Sequence, residues 1–144
     1  MPPRAKTRDN NSSRAPISIT AVLDAVGALA AGSVRGHLYL YDTNKAGGST
    51  GFGTEELRTR VHAGDRVLWN CLALECEAFV GIAAIEVDKD VIEPERKVYP
   101  GTDVAYWIGT VKKDDIDVVP YRIKFLVGTR TEPIVTTLSP TLVG

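Results

Sequence analysis

The stretch Leu57-Arg-Thr-Arg-Val-His-Ala-Gly-Asp-Arg-Val-Leu-Trp-Asn-Cys71 decides the fold class. Leu57, Thr59 and Val61 alternate with Arg58, Arg60 and His62, the two-residue period of a half-buried strand. Ala63-Gly-Asp65 is a turn signal, and beyond it Val67, Trp69 and Cys71 share one face of a second strand. The short connection predicts a hairpin between the two.

Working outward, Ile17 to Asp24 begins in alternation and reads as a first strand. Ala25 to Gly32 is rich in alanine but holds Gly27 and Gly32, which limits it to a short helix or turn near residues 24–32. Val34 to Tyr41 reads as a strand, and Asp42 to Gly53 as a glycine-rich loop. Ala78 to Val87 is a strand covered on both faces or carrying a bulge near Gly81. Asp88 to Gly101, charged and holding Pro94 and Pro100, reads as a long loop. Val104 to Val111 and the alternating Tyr121 to Val127 are predicted to form a hairpin across a charged turn. Ile134 to Leu138 and Thr141 to Val143 close the chain as one or two strands. Seven or eight short strands at this spacing predict an all-β fold: an antiparallel two-sheet β-sandwich, jelly-roll or Greek-key-like.

The 144 residues fit one domain, expected over 17–144 behind a disordered basic tail at 1–16. Residues 1–15 carry four basic residues against one acidic; the remainder carries 13 against 17. A mildly acidic domain argues against nucleic-acid binding. No apolar run reaches the ~18–20 residues of a membrane span, and Met1-Pro-Pro-Arg-Ala-Lys lacks a signal core. A cytoplasmic, bacterial-type protein with no membrane partner is therefore expected. Cys71 and Cys76, five apart, would point to opposite faces of one strand, so reduced thiols are expected rather than a disulfide.

No constellation for chemistry emerges. His37, His62, Cys71 and Cys76 are poorly placed for zinc, and the only methionine, Met1, leaves a blue-copper set without its axial ligand. The carboxylates Glu55-Glu56, Glu93, Glu95 and Asp114-Asp115-Asp117 sit in polar turns and read as solvated charge. The reading is thus no catalytic residue, no metal and no cofactor. Lys45 precedes the glycines of its loop, the reverse of a phosphate-binding P-loop. If a ligand binds anywhere, the loop and nearby aromatics are the place, which nominates Asp42, Asn44, Lys45, Phe52 and Trp107. Tyr106 and Trp107 must face opposite ways, and the sequence leaves open which points inward.

Four segments together resemble the bacterial inclusion-body (PixA) and AidA-like family: Ile17-Ser-Ile-Thr-Ala-Val-Leu-Asp24, the run Gly53 to Trp69 with its Gly-Asp turn, Tyr106-Trp-Ile-Gly-Thr-Val111, and Tyr121-Arg-Ile-Lys-Phe125. The resemblance spans residues 17–144 loosely. It implies a single all-β domain and self-association, with expression in some members tied to quorum sensing or stationary phase. It carries over no catalytic residues. The expectation is a non-enzymatic, self-associating homo-oligomer. The alternative is a lectin-like or small-ligand module, taking a saccharide or other small molecule through the glycine-rich loop.

Overall fold

A computed structural model of the chain describes residues 15–75 and 77–144. The tail expected at 1–16 falls almost wholly outside the described residues, as does Cys76. In chain order the elements are β1 (Ile17–Leu23), α1 (Ala25–Ala31), β2 (Leu38–Asp42), β3 (Arg58–Arg60), β4 (Arg66–Ala73), β5 (Val80–Glu86), β6 (Glu95–Val98), β7 (Ala105–Thr110), β8 (Val118–Pro120), β9 (Arg122–Val127), β10 (Ile134–Val135) and β11 (Thr141–Val143). The fold is all-β with one short helix.

That helix has a local cause at each end. Asp24 caps it, accepting the Gly27 N–H at 3.0 Å, and Gly32 stops it in the left-handed region at φ 67°. Ala25 and Ala28 form its buried face. The strand expected from Val34 begins only at Leu38, because Val34 to His37 closes a turn through His37 N–H to Val34 O at 2.8 Å.

Strands assemble into a five-stranded sheet, β2-β1-β4-β7-β6, and two three-stranded ladders, β10-β9-β5 and β3-β11-β8. The chain passes from β8 to β9 through the single residue Tyr121, so the two small ladders are parts of one broken layer. Tyr121 packs edge-on against Trp69 of the large sheet, ring centroids 5.5 Å apart. One core fills the space between, with Trp69, Tyr121 and Phe125 its largest fully buried side chains.

Both expected hairpins are overturned. β3 pairs with β11, not β4, and β4 lies between β1 and β7. The Ala63-Gly-Asp65 turn is a corner that carries the chain from one layer to the other. Val61 N–H donates to Val143 O of the small ladder, whereas Gly64 N–H donates to Val111 O and Val111 N–H to Asp65 O. Leu57 and Val61 therefore share one core with Val67 and Trp69 from the opposite layer, instead of lying beside them in one sheet. Likewise β7 pairs with β4 and β6, while β9 pairs with β5 and β10.

The ladders are mostly antiparallel, with two exceptions: β1 with β4, and β11 with β3, run parallel. Parallel neighbours need a crossover. For β1 and β4 it is the excursion through α1, β2 and β3. The bulge expected near Gly81 is present as a register shift in β5 between Ile82 and Ala84. The segment 88–101 is not all loop, since Glu95–Val98 forms the edge strand β6.

Candidate functional site

The glycine-rich loop spends its polar side chains on itself. Asp42 ends β2; its Oδ1 accepts the Asn44 N–H at 2.7 Å and its Oδ2 the Thr59 hydroxyl at 2.7 Å. Asn44 Nδ2 donates to Arg60 O at 2.8 Å, and the Asn44 carbonyl accepts the N–H groups of Gly47 and Ser49. Gly51, at φ 82°, sits so close to Glu56 that a Cβ there would lie 2.6 Å from its carbonyl oxygen. These bonds explain the composition of the loop as folding chemistry. Lys45 is exposed, and Phe52 packs against the core. Asn44 lines a cleft of about 460 Å³ shared with Ile17, His62, Asp65 and Arg66.

Trp107 lies elsewhere. It points inward from β7, with its indole N–H donating at 3.1 Å to Ile82 O, beside the β5 bulge. Tyr106 points outward and stacks on Tyr99, centroids 4.4 Å apart. Trp107 walls a slot of about 360 Å³ together with Cys71, Phe79, Ile82, Arg96 and Leu126. Burial pushes the Cys71 thiol up to about 11, so it is protonated at neutral pH. The five nominated residues thus do not converge: two brace a loop, one is exposed, one joins the core and one walls a separate slot.

Asp24, His37 and Glu75 serve the start of α1. His37 Nδ1 lies 3.4 Å from Asp24 Oδ2 at the start of α1, where Glu75 Oε1 accepts the Ala25 N–H at 2.9 Å. The Gly27 N–H, then hydrogen bonding with Glu75 and His37, holds the Asp24 carboxyl below its ordinary range. Among the described residues no group of three or more His, Cys, Asp or Glu side chains is placed to hold a metal ion. His62 is exposed.

One carboxylate departs from the reading as solvated charge. Glu55 is 5% exposed and accepts from Thr137 N–H at 2.9 Å, Leu138 N–H at 3.2 Å and the Thr137 hydroxyl at 2.9 Å. These partners sit 82 and 83 residues away, so no local pattern marks Glu55 as buried.

The outer face of the five-stranded sheet was not singled out by sequence. Register places Tyr41, Thr20, Asn70, Tyr106 and Lys97 in one row, and Tyr39, Val22 and Leu72 in the next. Leu68 and Ile108 make the row on the other side. Between Leu68 and Leu72 the centre of this face carries no charged side chain. Leu72 is 55% exposed and Tyr41 45%. At its β6 edge Glu95 and Lys97 pair with each other at 3.7 Å. The available signal was β4 itself, Arg-Val-Leu-Trp-Asn-Cys-Leu-Ala, which sets Leu68 and Leu72 on the face that also carries Arg66 and Asn70.

A crystal structure described as an inclusion body protein (PixA) from Burkholderia cenocepacia J2315 shares the fold, at TM-score 0.63 and 12% identity, over 90% of this chain and 92% of that one. No curated protein sequence matches the chain. Among the described residues no helix is long and apolar enough to cross a membrane. The family described as "Domain of unknown function (DUF8788)" matches residues 15–132, and the chain belongs to it.

Proposed function

We propose that this protein is a non-enzymatic, self-associating β-sandwich of the bacterial cytoplasm, and that copies meet through the outer face of the five-stranded sheet. The observation that carries the reading is the exposure of Leu72 and Tyr41 on a face whose centre lacks charge. Large apolar side chains left exposed on an uncharged sheet face favour an interaction site there. Tyrosine supplies large contact area at low entropic cost, and three more, Tyr39, Tyr99 and Tyr106, lie on or beside the same face.

Growth by edge pairing is disfavoured. β6, one edge of the sheet, is the charged run Glu95-Arg-Lys-Val98 between Pro94 and Pro100. The Gly53 N–H reaches Leu40 O over the other edge, β2. Of the five-stranded sheet, that leaves the face. Five strands at ~4.8 Å and about five residues at ~3.3 Å give roughly 400 Å² in projection. This lies near the lower limit for a specific contact, so the dimer is expected to form at micromolar concentration. The resemblance to an inclusion body protein supports a protein that packs with copies of itself.

The non-enzymatic reading is supported by the commitment of Asp24, His37, Asp42 and Glu55 to capping and bracing. A free, partly buried Cys71 fits a reducing compartment. Light scattering on the size-excluded protein tests the proposal: mass should rise from monomer to dimer with loading concentration, and Leu72→Lys should hold it at monomer. A wild-type chain monomeric up to about 100 µM, a free energy of association weaker than roughly −5 to −6 kcal/mol, contradicts it.

A further inference from the structure

The slot beside Trp107 combines an aromatic wall with two opposite charges that do not meet. Arg96 and Asp103 both line it. Among the described residues neither forms an ion pair, with the other or with a third group. The cavity of about 360 Å³ is small for a ligand site. At the roughly 30 Å³ that a water takes up in the liquid, it holds about a dozen non-hydrogen atoms.

Its walls have fixed positions. The hydrogen bond from Trp107 to Ile82 O sets the indole beside the β5 bulge. Gly81 lines the slot without a side chain, and the Phe79 ring lies across it: a Cβ at Gly81 would stand 3.2 Å from Phe79 Cζ. Phe79 is 58% exposed, a large apolar side chain left at the mouth. Arg96 is the register partner of Trp107 on β6, so its side chain leaves from the same sheet face as the indole.

An apolar cavity whose rim offers one guanidinium and one carboxylate, too far apart to neutralise each other, complements a small zwitterion with an apolar body. We propose that this slot binds an apolar α-amino acid, its side chain between Trp107, Phe79 and Leu126, its carboxylate on Arg96 and its ammonium on Asp103. Arginine takes a carboxylate with two parallel hydrogen bonds, which would orient the ligand. The apolar wall would take a side chain such as that of phenylalanine, and the wall and the charges act together: the body is desolvated while both charged groups stay at the rim.

The test is a titration of the full chain with L-phenylalanine, followed by NMR at the Trp107 indole N–H, assigned with Trp107→Phe. A saturable shift with Kd below about 1 mM is expected. 3-Phenylpropionate and phenethylamine, each lacking one charge, should bind at least tenfold more weakly. Arg96→Gln and Asp103→Asn should each weaken phenylalanine at least tenfold, and Asp103→Asn should leave 3-phenylpropionate unchanged. Both side chains are exposed, and an unchanged melting temperature confirms the fold of each variant. No saturable shift, equal binding of 3-phenylpropionate, or affinity indifferent to both substitutions overturns the proposal. Leu72→Lys, which addresses self-association, should not alter this binding.

Discussion

The two faces of β4 differ in what covers them and in what they are made of: Val67, Trp69 and Cys71 on one, Arg66, Leu68, Asn70 and Leu72 on the other. On the inner face Val67 and Trp69 are fully buried. On the outer face Leu68 is packed by its neighbours, while Leu72, two turns of the pleat further on, is 55% exposed. Among the described residues a second layer covers only the inner side. An apolar side chain therefore belongs to a core where that layer exists, and Leu72 is left as an unfilled contact where it does not.

Substitutions should separate the faces. The largest effect is expected from Trp69→Ala, about 3–5 kcal/mol of lost stability, because it opens a cavity against Tyr121; thermal and urea unfolding measure it. Glu55→Ala should cost about 1–3 kcal/mol by leaving the Thr137 and Leu138 N–H groups without their acceptor. Leu72→Lys, on the uncovered face, should change monomer stability by no more than about 0.5 kcal/mol while removing association. If Leu72→Lys unfolds the chain as Trp69→Ala does, the outer face is a core face and the comparison fails.

Two chemical probes sharpen the picture further. The Asp24 carboxyl titrates below its ordinary value, chiefly through the Gly27 N–H. The stability it contributes is therefore full above the ordinary carboxylate range and lost as pH falls through its lowered value. Asp24→Asn should flatten that acid limb in a pH series of melting temperatures. Cys71, pushed up to about 11 by burial, should react slowly with iodoacetamide near pH 8 and faster as pH approaches 11.

Much of this architecture was legible because it is local. The alternation of Leu57 to Val61 and of Tyr121 to Val127 picked the buried faces correctly. Gly32 marked the end of the helix, and Gly81 flagged the bulge. What was not legible depends on partners far along the chain. The mate of Arg58 is Thr141, and nothing between residues 57 and 71 says that the Gly-Asp turn changes layers instead of closing a hairpin. β6 was hidden because an edge strand defended by charge and proline has the composition of a loop.

The candidate site was less legible for a related reason. Glycines and short polar side chains mark Asp42 to Gly53 whether they serve a ligand or the loop itself, and here the bonds of Asp42 and Asn44 serve the loop. Trp107 was nominated with the loop but stands on another wall of the molecule, with Arg96 and Cys71. The exposed sheet face required the register of five strands, which no single segment reveals.

Amide NMR of the wild-type chain across a concentration series tests self-association through this face. Signals of Val22, Leu72 and Tyr106 should shift or broaden as concentration rises, while those of Ile123 and Phe125 hold still. Spectra independent of concentration, or changes centred on residues away from the outer face of the five-stranded sheet, would contradict it.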